Sequence, residues 1–347
     1  MNPINRKKSK FALSIISSFL VLFLFISPTF ASMGSGAAFS GNTYIYSFNG
    51  EASTISVISG TQIVKTIKPM SSPGGDNAYD PVNGVVYVPL ADSNVALINS
   101  QTNKIVHWLK ALNTPSATLY VPASGAGYIL ISSNEGNFVY VVKASTNQIV
   151  KHVAVGSNPS LMSYDPLTNT VWVANSEGPS VSIINVATWK VVKTLTKGFT
   201  QPGGVAYNPS NGMMYVTDFT YERGNNEGAV FVFNATSYKL ERIITRSTDF
   251  ATARSIIYDP ANDYMYVAAS HGGLIYGALA MISGTKIVKA YVFTKGTYPT
   301  GLAYNPSNNL VYVSYLTGYI GLINGTTILS QEIFIGNSTQ PVGLTAS

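Results

Sequence analysis

Hydrophobic and polar positions alternate in short runs along nearly the whole chain after residue 42. An alternation with a period of two is typical of strands that bury one face. Residues 202–245 hold four such runs, at 204–207, 213–217, 229–234 and 239–245. The sequence Asn-Pro-Ser-Asn-Gly at 208–212 predicts a tight turn, since Asx and Pro preset the reversal and Gly accepts positive φ. No capped helical run occurs, so the segment predicts four short antiparallel strands.

The same arrangement repeats along the chain. A phrase of Tyr, one further residue and Pro occurs six times, at intervals of 41, 44, 43, 51 and 46 residues: Tyr79-Asp80-Pro81, Tyr120-Val121-Pro122, Tyr164-Asp165-Pro166, Tyr207-Asn208-Pro209, Tyr258-Asp259-Pro260 and Tyr304-Asn305-Pro306. Eight residues after each Tyr stands an aromatic residue followed by an aliphatic one. A period of this length with four strands per unit favours the blades of a β-propeller. Leucine-rich and helical repeats are excluded by the absence of helical patterns.

The two ends of the chain set the number of blades. Three predicted strands, at 43–48, 54–59 and 62–68, precede the first phrase, and one strand at 341–345 follows the last unit. That last strand resembles 299–303, which opens the preceding unit, so it completes the blade that the first three strands begin. The predicted fold class is therefore all-β: a seven-bladed β-propeller of four-stranded antiparallel blades, spanning residues 42–347 and closed by the C-terminal strand. Such closure removes exposed sheet edges.

The repeat also carries a family resemblance. Its clearest copy is 171–195, with Trp172-Val173-Ala174-Asn175, then Val-Ser-Ile-Ile-Asn at 181–185 and Lys-Val-Val-Lys-Thr-Leu at 190–195. With the Pro-x-Gly-Leu/Val-Ala-Tyr-Asn-Pro phrases, this copy resembles the YVTN-type β-propeller repeat proteins. The resemblance covers nearly all of 42–347 and implies a secreted or surface-layer-associated seven-bladed propeller. It implies little about activity, because one propeller fold hosts unrelated functions.

The N-terminus predicts where the protein acts. Residues 1–10 carry four cations and no acid, residues 11–27 carry no charge, and small residues follow up to Ala31. This order is typical of a secretory signal, so we expect residues 1–31 to be cleaved and 32–41 to be a short linker. The alternative is an uncleaved membrane anchor, because the uncharged stretch is long enough to span a bilayer. Both interpretations predict a secreted or cell-surface protein.

Composition excludes several kinds of site. Only 10% of residues are charged, against about a quarter in a typical soluble domain, and there is no cysteine. A disulfide scaffold, a thiolate metal site and a cysteine nucleophile are therefore excluded. The net charge of +6 includes the four N-terminal cations, which leaves 17 basic against 15 acidic residues. No Lys/Arg cluster follows residue 31, so nucleic acid is not an expected partner.

Departures from the repeat predict a binding face. The longest interval carries an insertion at 218–228, and the next loops hold further charged residues. These three segments come from adjacent blades and can converge on one rim; long loops that depart from a repeat often mark a binding face. The alternative is a solvated loop whose charges neutralise one another. The candidate binding residues are Tyr221, Glu222, Arg223, Glu227, Arg246, Asp249, Arg254 and His271.

The resulting prediction is a non-catalytic binding or scaffold module for an extracellular protein, a glycan or the surface layer. We expect a monomer without a cofactor that meets the membrane only through an uncleaved N-terminal segment. The alternative is a lactonase-like hydrolase or lyase that uses a divalent cation in the central funnel. Its weak candidate ligands are Asp92, Glu135, Asn175, Glu177 and Asp218, which do not share one register of the repeat. Glycosylation sequons occur at Asn234, Asn324 and Asn337.

Overall fold

The computed structural model describes residues 44–110, 112–123, 127–221, 227–245, 252–271, 276–336 and 341–346. These residues form seven four-stranded antiparallel sheets, the blades of a β-propeller. The predicted fold class is confirmed, including the number of blades. Within the described ranges, no helix is long and apolar enough to cross a membrane.

The strands follow the repeat, one blade after another. Blade 1 begins with β1 (Ile45–Asn49), β2 (Thr54–Ser59) and β3 (Gln62–Ile67). Blade 2 holds β4 (Ala78–Asp80), β5 (Val85–Pro89), β6 (Val95–Asn99) and β7 (Lys104–Leu109), and blade 3 holds β8 (Pro115–Val121), β9 (Tyr128–Ser133), β10 (Phe138–Lys143) and β11 (Gln148–Ala154). Blade 4 holds β12 (Pro159–Asp165), β13 (Thr170–Asn175), β14 (Ser180–Asn185) and β15 (Lys190–Leu195), and blade 5 holds β16 (Pro202–Asn208), β17 (Met213–Tyr221), β18 (Glu227–Asn234) and β19 (Leu240–Thr245). Blade 6 holds β20 (Thr252–Asp259), β21 (Tyr264–His271), β22 (Tyr276–Ser283) and β23 (Lys286–Lys295), and blade 7 holds β24 (Pro299–Asn305), β25 (Leu310–Tyr315), β26 (Tyr319–Asn324) and β27 (Thr327–Phe334). β28 (Pro341–Ala346) completes blade 1.

The first strands of the blades form a closed inner ring. Each of β4, β8, β12, β16, β20, β24 and β28 contacts the first strand of the next blade. β28 pairs with β1, and its register places Ala346 opposite Ile45 and Thr345 opposite Tyr46. The chain is thus closed by strands from its two ends, as the sequence predicts, and the inner ring encloses a central channel.

The hydrophobic core lies between the blades. Seven clusters of buried side chains each join two neighbouring blades; one of them packs Tyr46 and Ile55 of blade 1 against Tyr79 and Val86 of blade 2. Each blade therefore buries both of its faces. The short runs of Val, Ile and Tyr supply this burial, since β-branched and aromatic side chains fit a pleated surface.

Among the described residues, a second-strand tyrosine donates a hydrogen bond to the next blade in five of the seven blades. The Tyr87 hydroxyl donates to Asn147 Oδ1 at 2.7 Å, and the Tyr215 hydroxyl donates to the Gly284 carbonyl at 2.7 Å. The Tyr312 hydroxyl donates to the Gly60 carbonyl at 3.3 Å and so joins blade 7 to blade 1. The acceptor residues are the positive-φ residues of the hairpins between third and fourth strands. Asn and Gly tolerate that conformation, so one residue serves both the turn and the contact.

Blade 3 departs from the spacing that the sequence suggests. Leu130 pairs with Leu119 where Tyr87 pairs with Ala78 in blade 2, so Tyr128 does not occupy the equivalent position. This blade has Val121 in place of the Asx that opens the first turn elsewhere, and its first hairpin is longer. Tyr128 instead packs edge-on against Trp189 of blade 4, at 5.0 Å between ring centroids. The aromatic residue eight positions after the Tyr therefore occupies the same structural position in blades 2, 4, 5, 6 and 7, but not in blade 3.

The predicted long loops are partly strand. β17 continues to Tyr221, and Tyr221 pairs with Glu227 at the start of β18. In blade 6, His271 is the last residue of β21 and pairs with Tyr276. The predicted insertions thus begin as extensions of the hairpins between second and third strands, with a register shift after Asp218.

Charge is distributed unevenly between inner and outer strands. The exposed fourth strands carry most of the strand lysines, for example Lys65, Lys151 and Lys193, and these lie beside exposed valines. Lys on an edge strand opposes pairing with another chain. Among the seven first strands that the structure describes, Arg254 is the only Lys or Arg.

Candidate functional site

One position of the first strands lines the channel in several blades. It lies four residues before the Tyr of each phrase, and its occupants are small or hydroxylated except in blade 6: Gly75, Ser116, Ser160, Gly203, Arg254 and Thr300. At the next position, blade 2 has Asp76 where the other blades have uncharged residues. Two charged residues therefore interrupt an otherwise uncharged ring.

These residues border a cavity of about 450 Å³. Blades 2, 4, 5, 6 and 7 contribute to its walls, so it lies across the channel. Leu161, Pro202, Phe219 and Ala253 supply apolar surface, while Asp76 and Arg254 supply charge. A cavity of this volume, apolar with a few polar groups, is typical of small-molecule sites.

Arg254 projects its guanidinium over the ring of Phe219, with 4.5 Å from Cζ to the ring centroid. Cation–π attraction holds the group in place. Burial by the channel wall lowers the pKa of Arg254, but a guanidinium stays charged throughout the physiological range. No described residue forms an ion pair with it. The side chain is still exposed towards the channel, so its donors are available to a ligand.

Asp76 lies on the opposite side of the channel from Arg254. Its side chain is 9% exposed, and burial raises its pKa to about 7. Its backbone carbonyl accepts from Thr118 N at 2.9 Å, whereas no described residue hydrogen-bonds its carboxyl group. Near neutral pH this group is therefore divided between its protonated and ionised forms.

Gly75 allows Asp76 to lie at this position. Its φ is +65°, and a Cβ here would overlap the carbonyl oxygen of Ser116. The segment just before β4 of blade 2 approaches β8 of blade 3 closely at this point. Only glycine avoids both the left-handed strain and the collision.

We expect Gly75→Ala to destabilise the protein by about 2–3 kcal/mol, because both the backbone strain and the overlap must be relieved. Gly74→Ala is the matched control, since a Cβ added at Gly74 would meet nothing within 4 Å. Urea unfolding followed by tryptophan fluorescence measures both free energies of unfolding. Equal free energies of unfolding for the two variants would show that the backbone around Gly75 can move away from Ser116 without loss of stability.

Hydroxyls in and beside the cavity wall join neighbouring blades. Ser160 Oγ of the wall donates to the Gly203 carbonyl at 3.2 Å, and Thr217 Oγ1, which does not itself line the cavity, donates to the Arg254 carbonyl at 2.9 Å. Ser255 differs, because its Oγ is buried and has no hydrogen-bond partner among the described residues. The two bonds to the Gly203 and Arg254 carbonyls fix neighbouring blades relative to each other.

The structure places the sequence-predicted binding residues unequally. Arg254 lies in the cavity, while Phe219 and Asp76 also line it but were not among the predicted residues. The backbones of Tyr221, Glu227 and His271 lie in strands. The other four, Glu222, Arg223, Arg246 and Asp249, fall outside the described residues.

The weak metal-ligand candidates are not brought together. Asp92, Glu135 and Glu177 are exposed, each beyond the second strand of a different blade. The Asp218 carboxylate accepts from the backbone N–H groups of Thr200 and Gln201, at 2.7 and 3.0 Å. The Asn175 side chain donates to Ser180 and Ser182. Within the described ranges, no three His, Cys, Asp or Glu side chains could share a metal ion.

Two of the three glycosylation sequons, at Asn234 and Asn324, lie at the ends of third strands. Asn324 is exposed at the end of β26. Asn234 is half-buried, and its Oδ1 accepts from Ser237 N at 2.8 Å. Asn337 lies outside the described residues.

Comparison with known proteins supports the fold more than the function. No family model matches the chain. YncE of Salmonella typhi, named as an uncharacterized protein, is 26% identical over 181 residues, which cover 51% of this chain and 51% of YncE. YncE of Salmonella typhimurium matches to the same extent. The chain spans about half the length of these curated relatives.

Solved structures with the same architecture are more distant in sequence. Hydrazine synthase of Kuenenia stuttgartiensis gives a TM-score of 0.65 at 16% identity, covering 77% of this chain and 80% of that chain. Dihydro-heme d1 dehydrogenase NirN, in complex with DHE, gives 0.62 at 10% identity, covering 89% and 76%. Likeness at these identities shows the fold alone.

Proposed function

We propose that the protein is a non-catalytic binding module of the cell surface or extracellular space that holds its ligand in the channel cavity. The observation that carries the proposal is Arg254, which interrupts an uncharged ring and lies on Phe219 without an ion-pair partner among the described residues. A cation fixed by a ring and open to a cavity is suited to recognition, because little freedom is lost when it binds.

The residues of the cavity favour binding over turnover. Asp76 and Arg254 are its only titratable lining residues that the structure describes. A nucleophile activated by an adjacent base needs a hydrogen-bonded pair, and none lines this part of the channel. The extracellular location rests on residues 1–31, and the expected partner is a glycan or protein of that compartment.

Catalysis is the second candidate, and two observations favour it. An acid with a raised pKa in a cleft is suited to proton transfer, and both structural relatives are named as enzymes. A metal-dependent hydrolase or lyase would need ligands beyond those that the structure brings together.

The test uses residues 32–347 on an array of extracellular glycans and in thermal melts with divalent cations or a chelator. We expect capture of glycans by the native chain, at least tenfold weaker capture by Arg254→Gln, and no product from lactone or ester substrates. A micromolar metal site at thousandfold excess should stabilise by about 4 kcal/mol, a shift of several degrees. Such a shift, or product release, would replace the proposal with the catalytic one.

A further inference from the structure

We propose that the channel cavity binds a singly charged carboxylate on a small hydroxylated molecule, with the carboxylate on Arg254 and a polar group towards Asp76. This inference rests on the proposed binding function and specifies its ligand. The supporting features are the Phe219 ring that contacts Arg254, the number of charged side chains that line the cavity, and the position of Asp76 across the channel.

The Phe219 ring holds the guanidinium at the cavity wall. The Arg254 Cζ lies 4.5 Å from the ring centroid, and both residues line the cavity, so the N–H donors of Arg254 are available to a ligand there. A carboxylate matches two of these donors side by side. The arrangement therefore suits a planar anion better than a spherical one.

The charged side chains that line the cavity favour a ligand with a single negative charge. Arg254 is the one cation that lines the described cavity, and Asp76 is the one acid. A doubly charged phosphate would keep one charge uncompensated in a partly buried site, which is costly. A monoanion is neutralised by Arg254 when Asp76 is protonated.

The other polar groups of the cavity favour a hydroxylated body. Protonated Asp76 can donate a hydrogen bond, and Ser176 and Gln201 also line the cavity. Leu161, Pro202 and Ala253 can cover the C–H face of the ligand. Free hydroxy acids and the terminal uronic acids of glycans share this chemistry.

Asp76 should make binding depend on pH. Ionised Asp76 adds a negative charge to the cavity that receives the ligand anion, so binding favours the protonated form. With the pKa of Asp76 at about 7, the protonated fraction rises about tenfold between pH 8 and pH 6. The affinity for a carboxylate should rise by the same factor, whereas the affinity for a neutral sugar should not.

Isothermal titration of residues 32–347 with sodium glucuronate tests the proposal, with glucose and glucose 6-phosphate as comparison ligands. We expect glucuronate to bind at least tenfold more tightly than either at pH 6. Arg254→Gln should lose that preference. Lys289→Gln is the matched control, because Lys289 also lies over an aromatic ring, Tyr291 at 5.1 Å, but on an outer strand. It should bind as the native chain does.

Asp76→Asn separates the pH effect from simple loss of structure. This variant should bind glucuronate at pH 8 about as tightly as the native chain does at pH 6, with no pH dependence left. Tight binding of free glucuronate indicates a small-acid ligand. Binding only of an oligouronate, still lost in Arg254→Gln, indicates the end of a glycan and also supports the proposal.

Two results would overturn the inference. Equal affinity for glucose and glucuronate, or unchanged affinity in Arg254→Gln, would show that the carboxylate is not recognised. If glycan capture persists while every carboxylate probe fails, the proposed function stands and this inference is wrong. If no glycan is captured and no probe binds, both are wrong.

Discussion

Removal of residues 341–347 is expected to abolish cooperative folding of the monomer. Without β28, the inner edge of β1 loses its partner, and the inner ring loses the strand that contacts both β24 and β4. Ile45, Tyr46 and Phe48 are at most 1% exposed in the intact protein and would lose part of their cover. The expected loss is about 5 kcal/mol or more, comparable to the whole stability of a typical domain.

Circular dichroism melts and size-exclusion chromatography would check this result. Removal of Ser347 alone is the control, since that residue lies beyond β28. A synthetic peptide of residues 337–347 should restore part of the transition, because a strand that binds only the folded state stabilises it. A truncated chain that stays monomeric and melts within a few degrees of the intact one would contradict the expectation.

Asp76→Asn is expected to stabilise the protein at pH 8 and to have little effect at pH 4. The folded-state pKa of Asp76 is about 7, above its ordinary value of 3.8, so ionisation of this carboxyl opposes folding. The stabilising contribution of the protonated Asp76 carboxyl is fully present below pH 3.8 and is lost as the pH rises through 7. Asparagine does not ionise, so the variant does not lose this contribution at high pH.

The size of the effect follows from the shift. Each pKa unit corresponds to about 1.4 kcal/mol, which gives a ceiling of about 4 kcal/mol at pH 8. Channel water hydrates the exposed part of the carboxyl group, so we expect a gain of about 2–4 kcal/mol in the free energy of unfolding. Urea titrations at pH 4, 6 and 8 would measure it. Asp92→Asn, at an exposed residue, is the control and should change stability little at any pH. Destabilisation by Asp76→Asn at pH 8 would mean that the ionised form is favoured.

The fold could be predicted because its determinants are local. Asp80, Asp165 and Asn208 each accept the backbone N–H two residues on, so the first turn of each of these blades is specified by its own side chain. The number of blades followed from matching 341–345 to 299–303. Blade 3 was aligned wrongly because its longer first hairpin places Tyr128 at the same spacing by coincidence.

The site could be predicted only in part, for a geometric reason. Arg254 was found because it lies in a loop-proximal segment that departs from the repeat. Asp76 was missed because β4 is only three residues long, so no regular strand drew attention to the residues before it. Counting back three residues from Tyr79, as for the equivalent position in the other blades, would have found it. Phe219 was missed because the alternation ends at Thr217 in sequence, although β17 continues to Tyr221.

The closure of the ring also dictates when this fold can form during synthesis. Ile45 pairs with Ala346, which is synthesised about 300 residues later. At the usual rate of about 5–20 residues per second, roughly 15–60 s separate the two on the ribosome. Until β28 has been synthesised, the inner edge of β1 has no partner strand within the chain, so the ring cannot close. Unpaired strand edges promote aggregation, so the order of synthesis leaves this edge exposed until residues 341–346 have emerged.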